Sequence, residues 1–325
     1  FRELGTEPIK ITAALQDWRM WARVQLMKCQ GKLEFFTQGA RIGQTVDERG
    51  VLTLVTDTDL PDASELRFWK RLEGKCQMVS ESNDDWIVER DESSKNIRLA
   101  PAFIHQYAEG SLFLNIPRVV MMSGTVRPKT ADLLDVHEDS RDFIEYPSTF
   151  PVERRPIYWL PTVRLNSKSS QEDLRTWVVR IDQILARRQH LKGIIHTRSY
   201  VRQQYLLAHS RFRNIMHANT QGNTRDVVKS FRAATAPAVL VSPSVGTGFD
   251  FPYDACRFQI IGKMPFYDMR GAVMKAQIKS DPDYPNYLTS QDLIQLYGRP
   301  NRAPDDFSET WILDDHFDWF VQKYS

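Results

Sequence analysis

Residues 292–306 read DLIQLYGRPNRAPDD, and this stretch decides how the rest of the chain is interpreted. Gln295, Arg299 and Arg302 stand at positions i, i+4 and i+7, a spacing that places three side chains on one face of a helix. Two guanidinium groups on one face suit a phosphate, which each of them can bind with two parallel hydrogen bonds. The stretch therefore predicts either an arginine finger for phosphoryl transfer or a basic surface helix paired with the acidic residues that follow it.

The region around this stretch, from about residue 155 onward, alternates apolar runs with amphipathic segments. Helices are predicted at 171–190, 200–208, 224–233 and around Asp292, and strands at 193–196, 238–241, 258–261 and 310–313. Strands separated by helices of this length favour a right-handed, mostly parallel α/β sheet. Ligands bind at the carboxyl ends of the strands in such sheets, so the loops there are the candidate sites.

The loop after strand 193–196 carries Thr197, Arg198, Ser199 and Tyr200 at a helix start. Hydroxyls, amide N–H groups and the helix dipole suit a phosphate, and we expect nucleic-acid contacts here. A simple N-cap by Thr197 or Ser199 explains the hydroxyls equally well. Lys263, at the end of a later strand, is either a further phosphate contact or a solvated lysine.

The loop after strand 238–241 reads SPSVGTGFDFP over residues 242–252. Its glycines permit a tight turn and a close approach of the backbone to a ligand. Gly248, Asp250 and Gly298 are therefore the candidate cofactor-binding residues. Asp250 could bind a ribose hydroxyl, orient an arginine finger, or cap a turn.

Four segments together resemble one family. The Gln-x-x-Gly-Arg-x-x-Arg pattern at 295–302, followed by an acidic pair and an apolar strand, is similar to the last motif of superfamily 2 helicases. Asp314 and Asp315 resemble the acidic strand end of the XPD/DinG branch. Segment 242–252 resembles the fifth motif of that branch, with Thr247 where Glu is common, and 257–266 resembles its strand and Lys-Leu-Pro-Phe segment.

The fourth segment is an apolar run at 118–122 that ends in Ser123-Gly124-Thr125 and resembles a strand carrying the Ser-Ala-Thr motif, with Gly for Ala. The chain thus resembles the carboxyl-terminal portion of an XPD/DinG-like superfamily 2 DNA helicase. The resemblance implies a RecA-like, mostly parallel sheet with flanking helices at 151–325. A partial first motor domain at 76–150 and a mainly helical, arch-like lobe at 1–75 would precede it.

The resemblance also implies roles for individual residues. Arg299 and Arg302 would stabilise charge on the γ-phosphate, Gln295 would aid alignment, and Ser123 and Thr125 would couple nucleotide state to domain position. Single-stranded DNA would be the partner, with translocation from 5′ to 3′.

The nucleotide-binding motifs of a complete motor do not occur in these 325 residues. Neither G-x-x-x-x-G-K-[ST] nor Asp-Glu-x-His is found. We expect ATP and Mg²⁺ to be bound mainly by an absent amino-terminal half, which carries the P-loop and the DEAH-type box in the same or another polypeptide. The chain alone is then inactive. The alternative is a non-catalytic nucleic-acid-binding or scaffold module with a RecA-like fold.

Before residue 118 the sequence indicates elements without a visible function. Amphipathic helices are expected within 11–33, at 61–72 and at 104–112, and short strands at 51–55, 86–88 and 96–99, with a glycine-containing break at 35–54. Prolines at 147, 151, 156 and 161 predict an interdomain linker.

Bulk composition excludes several classes of protein. With 42% hydrophobic residues and no apolar run that could span a bilayer, we expect a soluble, intracellular, globular protein without a membrane partner. Three scattered cysteines predict free thiols, and they match neither a disulfide framework, a metal site nor a four-thiolate iron–sulfur cluster. Residues 151–300 contain 22 Lys and Arg against 11 Asp and Glu, which favours either a polyanion-binding half or a solvated basic face.

Overall fold

The computed structural model describes residues 9, 12–42, 44–46, 52–54, 63–91 and 96–324, with the backbone alone described at 37–42, 44–46, 52–54, 91 and 96. The chain forms two compact units. The first unit comprises Phe1–Ile104 and Met269–Ser280, and the second comprises His105–Asp268 and Asp281–Ser325. The predicted domain borders at 75 and 150 stay predictions.

Within the described ranges the helices and strands alternate through most of the chain. The α-helices are α1 (Leu15–Ile42), α2 (Ala63–Ser80), α3 (His105–Ala108), α4 (Pro128–Asp132), α5 (Gln171–Ala186), α6 (Tyr200–His209), α7 (Thr224–Ala233), α8 (Ala272–Ser280), α9 (Tyr284–Tyr297) and α10 (His316–Tyr324). The strands are β1 (Gln44–Val46), β2 (Leu52–Leu54), β3 (Trp86–Asp91), β4 (Asn96–Pro101), β5 (Ile157–Val163), β6 (Lys192–His196), β7 (Met216–Ala218), β8 (Ala238–Ser242), β9 (Phe258–Ile261) and β10 (Glu309–Asp314).

The first unit is built on the helix pair α1 and α2. Cys29, Trp69 and Cys76 form the buried centre of their contact. Strands β3 and β4 form an antiparallel hairpin, and Gln277 of α8 donates a hydrogen bond to the carbonyl of Ala102 at 2.7 Å. The glycine-containing break expected at 35–54 is wrong over residues 35–42, because α1 continues past Gly39 to Ile42. Gly43 and Gly50 lie outside the described residues. Each helical glycine costs only about 1 kcal/mol relative to alanine, and the 28-residue helix accommodates both Gly31 and Gly39.

The second unit contains a six-stranded sheet in the order β5-β10-β9-β6-β8-β7. Every neighbouring pair in it is parallel. Strands β6, β8 and β9 are buried along their whole length, as expected for a parallel sheet covered on both faces. The predicted mostly parallel α/β sheet with flanking helices is confirmed.

Local sequence explains where the helices of this unit begin. Ser170 and Asp173 form a reciprocal capping box at the start of α5: the Ser170 hydroxyl accepts from the Asp173 amide at 3.1 Å, and the Asp173 carboxylate accepts from the Ser170 amide at 2.9 Å. The helix then buries Trp177, Ile181 and Leu185 against the sheet.

The predicted linker contains a strand that the sequence analysis missed. β5 pairs with β10 at the edge of the sheet, although it includes Pro161. An edge strand tolerates proline, since its outer N–H groups have no partner strand, and the register shifts opposite this position between Ile312 and Asp314.

The predicted strand at 118–122 is absent, which corrects the sequence analysis. Among the described strands none pairs with this segment, and the side chains of Val120 and Met122 are 84% and 88% exposed. A strand needs a hydrogen-bonding neighbour, and apolar residues alone do not provide one. The predicted helix at 104–112 is also shorter and irregular: α3 is followed by a π-helical turn at Glu109–Phe113.

Helix α9 ends at Tyr297, so the two arginines of the opening stretch are not helical. The prediction that Gln295, Arg299 and Arg302 share one helix face is therefore wrong. Gly298 caps the helix, and Pro300 disfavours helical backbone at the residue before it. Arg299 and Arg302 instead lie in the loop between α9 and β10.

Candidate functional site

The loops after β8 and α9 meet at the carboxyl end of the sheet. Gly246 packs so close to α9 that a Cβ there would lie 2.8 Å from a methyl group of Leu296. Gly248 has a φ of +78°, a conformation that other residues rarely adopt. The Phe251 amide donates to the Arg299 carbonyl at 3.2 Å and joins the two loops. The backbone conformation therefore favours glycine at position 248, and a side chain at position 246 would require Leu296 to move.

Arg299 holds the loop after β8 with three contacts. Its Nε donates to the Gly246 carbonyl at 2.9 Å, and its Nη1 donates to the Phe249 carbonyl at 3.2 Å and approaches Asp250 Oδ1 at 3.3 Å. Only 14% of its side chain is exposed. Arg299 is therefore part of the framework that shapes this loop.

Arg302 also forms an ion pair with the Asp250 carboxylate, and 41% of its side chain is exposed. Asp250 itself is 55% exposed, so one accessible carboxylate holds two guanidinium groups. The cluster has an excess of positive charge and offers guanidinium N–H donors to solvent. Such a cluster can bind a planar anion that approaches the loop.

Gln295 points toward a different part of the second unit. Its Nε2 lies 3.5 Å from the Thr125 hydroxyl, which in turn lies 3.3 Å from the hydroxyl of Ser123. The structure thus brings together Ser123, Thr125 and Gln295 in one polar cluster. It brings Arg299, Arg302 and Asp250 together in another.

The loop after β6 is organised largely by its own hydrogen bonds. Thr197 is buried and donates to the Ser199 carbonyl at 3.2 Å, and the Ser199 hydroxyl accepts from the Arg202 amide at the start of α6. Arg198 has a φ of +58°, and its guanidinium lies 3.5 Å from Asp292 and 3.3 Å from the Pro265 carbonyl. Tyr200 accepts a hydrogen bond of 3.4 Å from Asn219.

Lys263 lies inside the domain. Its ammonium donates to the Leu165 carbonyl, and Asp314 lies 3.9 Å away, with 16% of the lysine side chain exposed. Burial lowers the pKa of Lys263, and the Asp314 carboxylate acts in the opposite direction. Among the residues predicted to contact nucleic acid, Thr197 is buried, and Arg198, Ser199, Tyr200 and Lys263 are partly exposed.

A cavity of about 260 Å³ opens between the ends of β6 and β8 and helix α9. Its lining includes Arg198, Ser244, Tyr267, Asp292 and Leu296. His196 also contributes, and it is almost fully buried. Burial lowers the pKa of His196 to about 4, with the charges of Arg198 and Arg299 acting in the same direction.

Residues 188–324 match the family of helicase C-terminal domains. This part of the chain is similar to helicase C-terminal domains. The predicted relation to the carboxyl-terminal portion of a helicase is confirmed over these residues. No curated protein is significantly similar in sequence to the whole chain.

Three solved structures share the fold at low sequence identity. "XPD_APO" aligns with a TM-score of 0.57 at 14% identity over 81% of this chain and 58% of its own. "XPD_Helicase" aligns with a TM-score of 0.54 at 13% identity, over 95% and 62% respectively. Xpd4 of S. tokodaii aligns with a TM-score of 0.50 at 14% identity, over 82% and 58%. The chain spans about three fifths of the length of these structures, and its RecA-like fold is confirmed.

The helicase C-terminal domain contains site residues that the sequence analysis did not select. Tyr267 and Asp292 line the cavity, but they lie far apart in sequence and belong to no motif. Asp292 opens the stretch 292–306, whereas only the topological rule that ligands bind at the carboxyl ends of parallel strands pointed to the region of Tyr267.

Cys29, Cys76 and Cys256 are free and buried. In the part of the chain that the structure describes, no three His, Cys, Asp or Glu side chains are grouped so that they could hold a metal ion. None of the described helices is both long and apolar enough to cross a membrane.

Proposed function

We propose that this chain supplies the arginine-bearing second motor domain of an ATP-dependent, XPD-like DNA helicase. The observation that carries the proposal is the convergence of Arg299 and Arg302 on Asp250 at the carboxyl end of the sheet of a helicase C-terminal domain. Two guanidinium groups at this position can stabilise the charge that develops during phosphoryl transfer.

The two arginines have different roles in this proposal. Arg302 has the more exposed side chain and one ion-pair partner, so it can turn toward the γ-phosphate when the domains close. Arg299 positions the loop from Gly246 to Asp250 through the two carbonyls that it binds. Asp250 keeps both guanidinium groups near the nucleotide until closure.

The coupling of nucleotide state to domain position would pass through the second polar cluster. Gln295 stands on α9 directly before the arginine loop, and its side chain reaches the Ser123-Gly124-Thr125 turn. A shift of that turn would therefore be transmitted to α9 and to the arginines. Ser123 and Thr125 are positioning residues in this scheme.

The other half of the motor would hold the nucleotide. The 325 residues contain no P-loop motif, and the chain spans about three fifths of the XPD structures. Mg²⁺ bound with ATP in that half would neutralise charge on the β- and γ-phosphates. Single-stranded DNA is the proposed partner, and the family resemblance suggests movement from 5′ to 3′.

The first test is the ATPase activity of the intact motor, with the P-loop half present and with single-stranded DNA. Arg302→Ala should lower kcat by about a hundredfold or more and leave binding of single-stranded DNA nearly intact. Arg299→Ala should reduce kcat by a similar factor of about a hundred, with a lower unfolding temperature because two loop carbonyls lose their donor. Arg225→Ala, which removes an exposed arginine of α7, is the matched control and should change neither quantity.

A second candidate is a binding or scaffold module that hydrolyses nothing. It is favoured by the ion pairs that both arginines already make with Asp250 inside the domain. Unchanged ATP turnover in Arg302→Ala and Arg299→Ala would remove the arginine finger from the mechanism. Absence of ATP turnover from the chain together with its P-loop half, with single-stranded DNA present, would favour the binding module.

A further inference from the structure

The cavity of about 260 Å³ beside the arginine cluster has a chemistry that the proposed hydrolysis of ATP does not use. It combines one cationic and one anionic side chain, Arg198 and Asp292, with apolar walls from Pro243 and Leu296. Its volume is below the range of about 300–1,000 Å³ typical of pockets for drug-sized ligands, so it suits one planar ring system.

The hydrogen-bonding groups of Arg198 and Asp292 are not saturated by each other. Arg198 Nη1 and Asp292 Oδ2 are 3.5 Å apart, which exceeds the length of about 2.7–2.9 Å of a tight charge-assisted hydrogen bond. The side chains are 29% and 23% exposed. A carboxylate has about four acceptor positions, and burial together with the nearby Asp292 carboxylate raises the pKa of the Tyr267 hydroxyl. Acceptor capacity therefore remains in the cavity.

The Asp292 carboxylate determines which part of a nucleic acid can bind in the cavity. A phosphate group would be repelled by Asp292, whereas the edge of a base presents N–H donors to it. Guanine carries two adjacent donors, N1–H and the N2 amino group, which one carboxylate can accept together. Its O6 and N7 acceptors suit a guanidinium group, the commonest partner of guanine in proteins.

We propose that this cavity binds one unpaired guanine base, with Asp292 accepting from N1–H and N2–H and Arg198 donating to the O6 edge. Tyr267 orients the Asp292 carboxylate, and Pro243 and Leu296 contact the faces of the ring. In a base pair the N1–H and N2–H groups are occupied, so the cavity selects single strands. The assignment of this guanine to a DNA strand rests on the proposed function, whereas the chemistry of the cavity also admits a free guanine nucleotide.

The test compares three single strands that differ at one base. Oligothymidines of about twelve nucleotides carry guanine, inosine or thymine at the centre, and their dissociation constants are measured by fluorescence anisotropy with the full chain. The guanine strand should bind at least about fivefold more tightly than the thymine strand, the lower limit for a specific base contact. Inosine lacks the N2 amino group and should lose most of this preference.

Protein variants test the same contact from the other side. Asp292→Asn should abolish the preference for guanine, and Tyr267→Phe should reduce it. Asp226→Asn removes one exposed carboxylate from α7 and should leave the preference unchanged. Because the inosine strand alters only the ligand, the comparison stays decisive even if a variant folds poorly.

The outcomes separate this proposal from the proposed function. Equal binding of the three strands would overturn the guanine pocket and leave the helicase proposal standing. If no strand binds, guanosine monophosphate is the deciding probe: binding that Asp292→Asn abolishes supports the pocket and counts against DNA as the partner. Absence of binding to guanosine monophosphate as well would overturn the pocket.

Discussion

At the scale of single residues, His196 links the stability of the domain to pH. Its imidazole is 2% exposed and lies 3.2 Å from Gln259 Oε1. The Gln259 amide nitrogen donates to Thr310 Oγ1 at 2.9 Å, so Gln259 Oε1 is left to accept from His196 Nε2–H. Charging the ring would require a second proton in a buried position next to the arginine cluster.

The direction of the pH effect follows from the lowered pKa of His196. Because burial lowers the pKa from 6.5 to about 4, the unfolded chain binds more protons than the folded chain between these values. Stability is therefore full above pH 6.5 and falls as the pH drops toward 4, by about 3 kcal/mol from this group.

His196→Gln should remove this pH dependence, because Gln retains the N–H donor and does not titrate in this range. Urea unfolding between about pH 7 and about pH 4.5 measures the difference. The exposed His190→Gln is the control and should follow the wild-type curve. If His196→Gln also follows that curve, His196 does not contribute to acid sensitivity.

Residue identity predicted the site better than residue spacing did. The sequence pairs Arg299 with Arg302 and leaves Asp250 as a ribose ligand, a residue that orients an arginine or a turn cap, and the structure places Asp250 in contact with both arginines. The prediction of one shared helix face was wrong, since α9 ends at Tyr297. Pro300 indicated that the helix ends before it. The contact of Asp250 with Arg299 and Arg302, about 50 positions away in sequence, depends on the sheet, which brings the two loops together.

At the scale of elements, Lys192 of strand β6 forms hydrogen bonds with the end of helix α7. Its ammonium donates to the carbonyls of Phe231, Arg232 and Ala234 at 2.7, 3.0 and 2.8 Å, and it lies 4.7 Å from the centre of the Phe231 ring. The carboxyl end of a helix leaves carbonyl groups without helical partners. A cation at this end also interacts favourably with the helix dipole. One buried lysine satisfies three of these carbonyls.

Lys192→Met should therefore lower the free energy of unfolding by about 2 kcal/mol or more, because three carbonyls lose a hydrogen bond from a charged donor, and one such bond contributes about 1.5–3 kcal/mol. Methionine keeps the aliphatic volume and removes the ammonium. Chemical denaturation measures the loss, with Lys229→Met, an exposed lysine of α7, as the control. Equal stability of the two variants would show that the lysine contributes nothing beyond its aliphatic chain.

The elements of the sheet centre were predictable, and those at its edges were not. The bounds of α7 and β9 agree with the sequence prediction, because their apolar periodicity is strong and both faces of the central strands are buried. β5 and β7 are edge strands with partly exposed residues; β7 has only 3 residues, and β5 carries a proline. Their pairing depends on neighbours far away in sequence, which local patterns do not encode.

At the scale of the whole molecule, the segment from Ile116 to Met122 exposes a run of apolar side chains, and we expect another part of the motor to bury them. Val119, Val120, Met121 and Met122 are 45%, 84%, 41% and 88% exposed. In the proposed motor this segment becomes a strand in the sheet of the P-loop half, which would bury these side chains and bring Ser123 to the domain boundary. Apolar runs of this kind gain a large hydrophobic stabilisation on burial.

Val120→Asp tests this assignment through a difference between two measurements. In the chain alone the side chain is exposed, so the free energy of unfolding should change by less than about 0.5 kcal/mol. In the intact motor the buried carboxylate would disrupt the sheet, and DNA-stimulated ATP turnover should fall at least about tenfold.

Val201→Asp is the matched control, because Val201 lies on α6 with 80% of its surface exposed and is assigned no partner. It should leave both measurements unchanged. Amide hydrogen exchange locates the effect: amides 118–122 should exchange rapidly in the chain alone and slowly in the intact motor, since strand pairing protects backbone N–H groups. Rapid exchange in both would place the segment outside the sheet of the P-loop half, and the exposed valine and methionine side chains would then require a different partner.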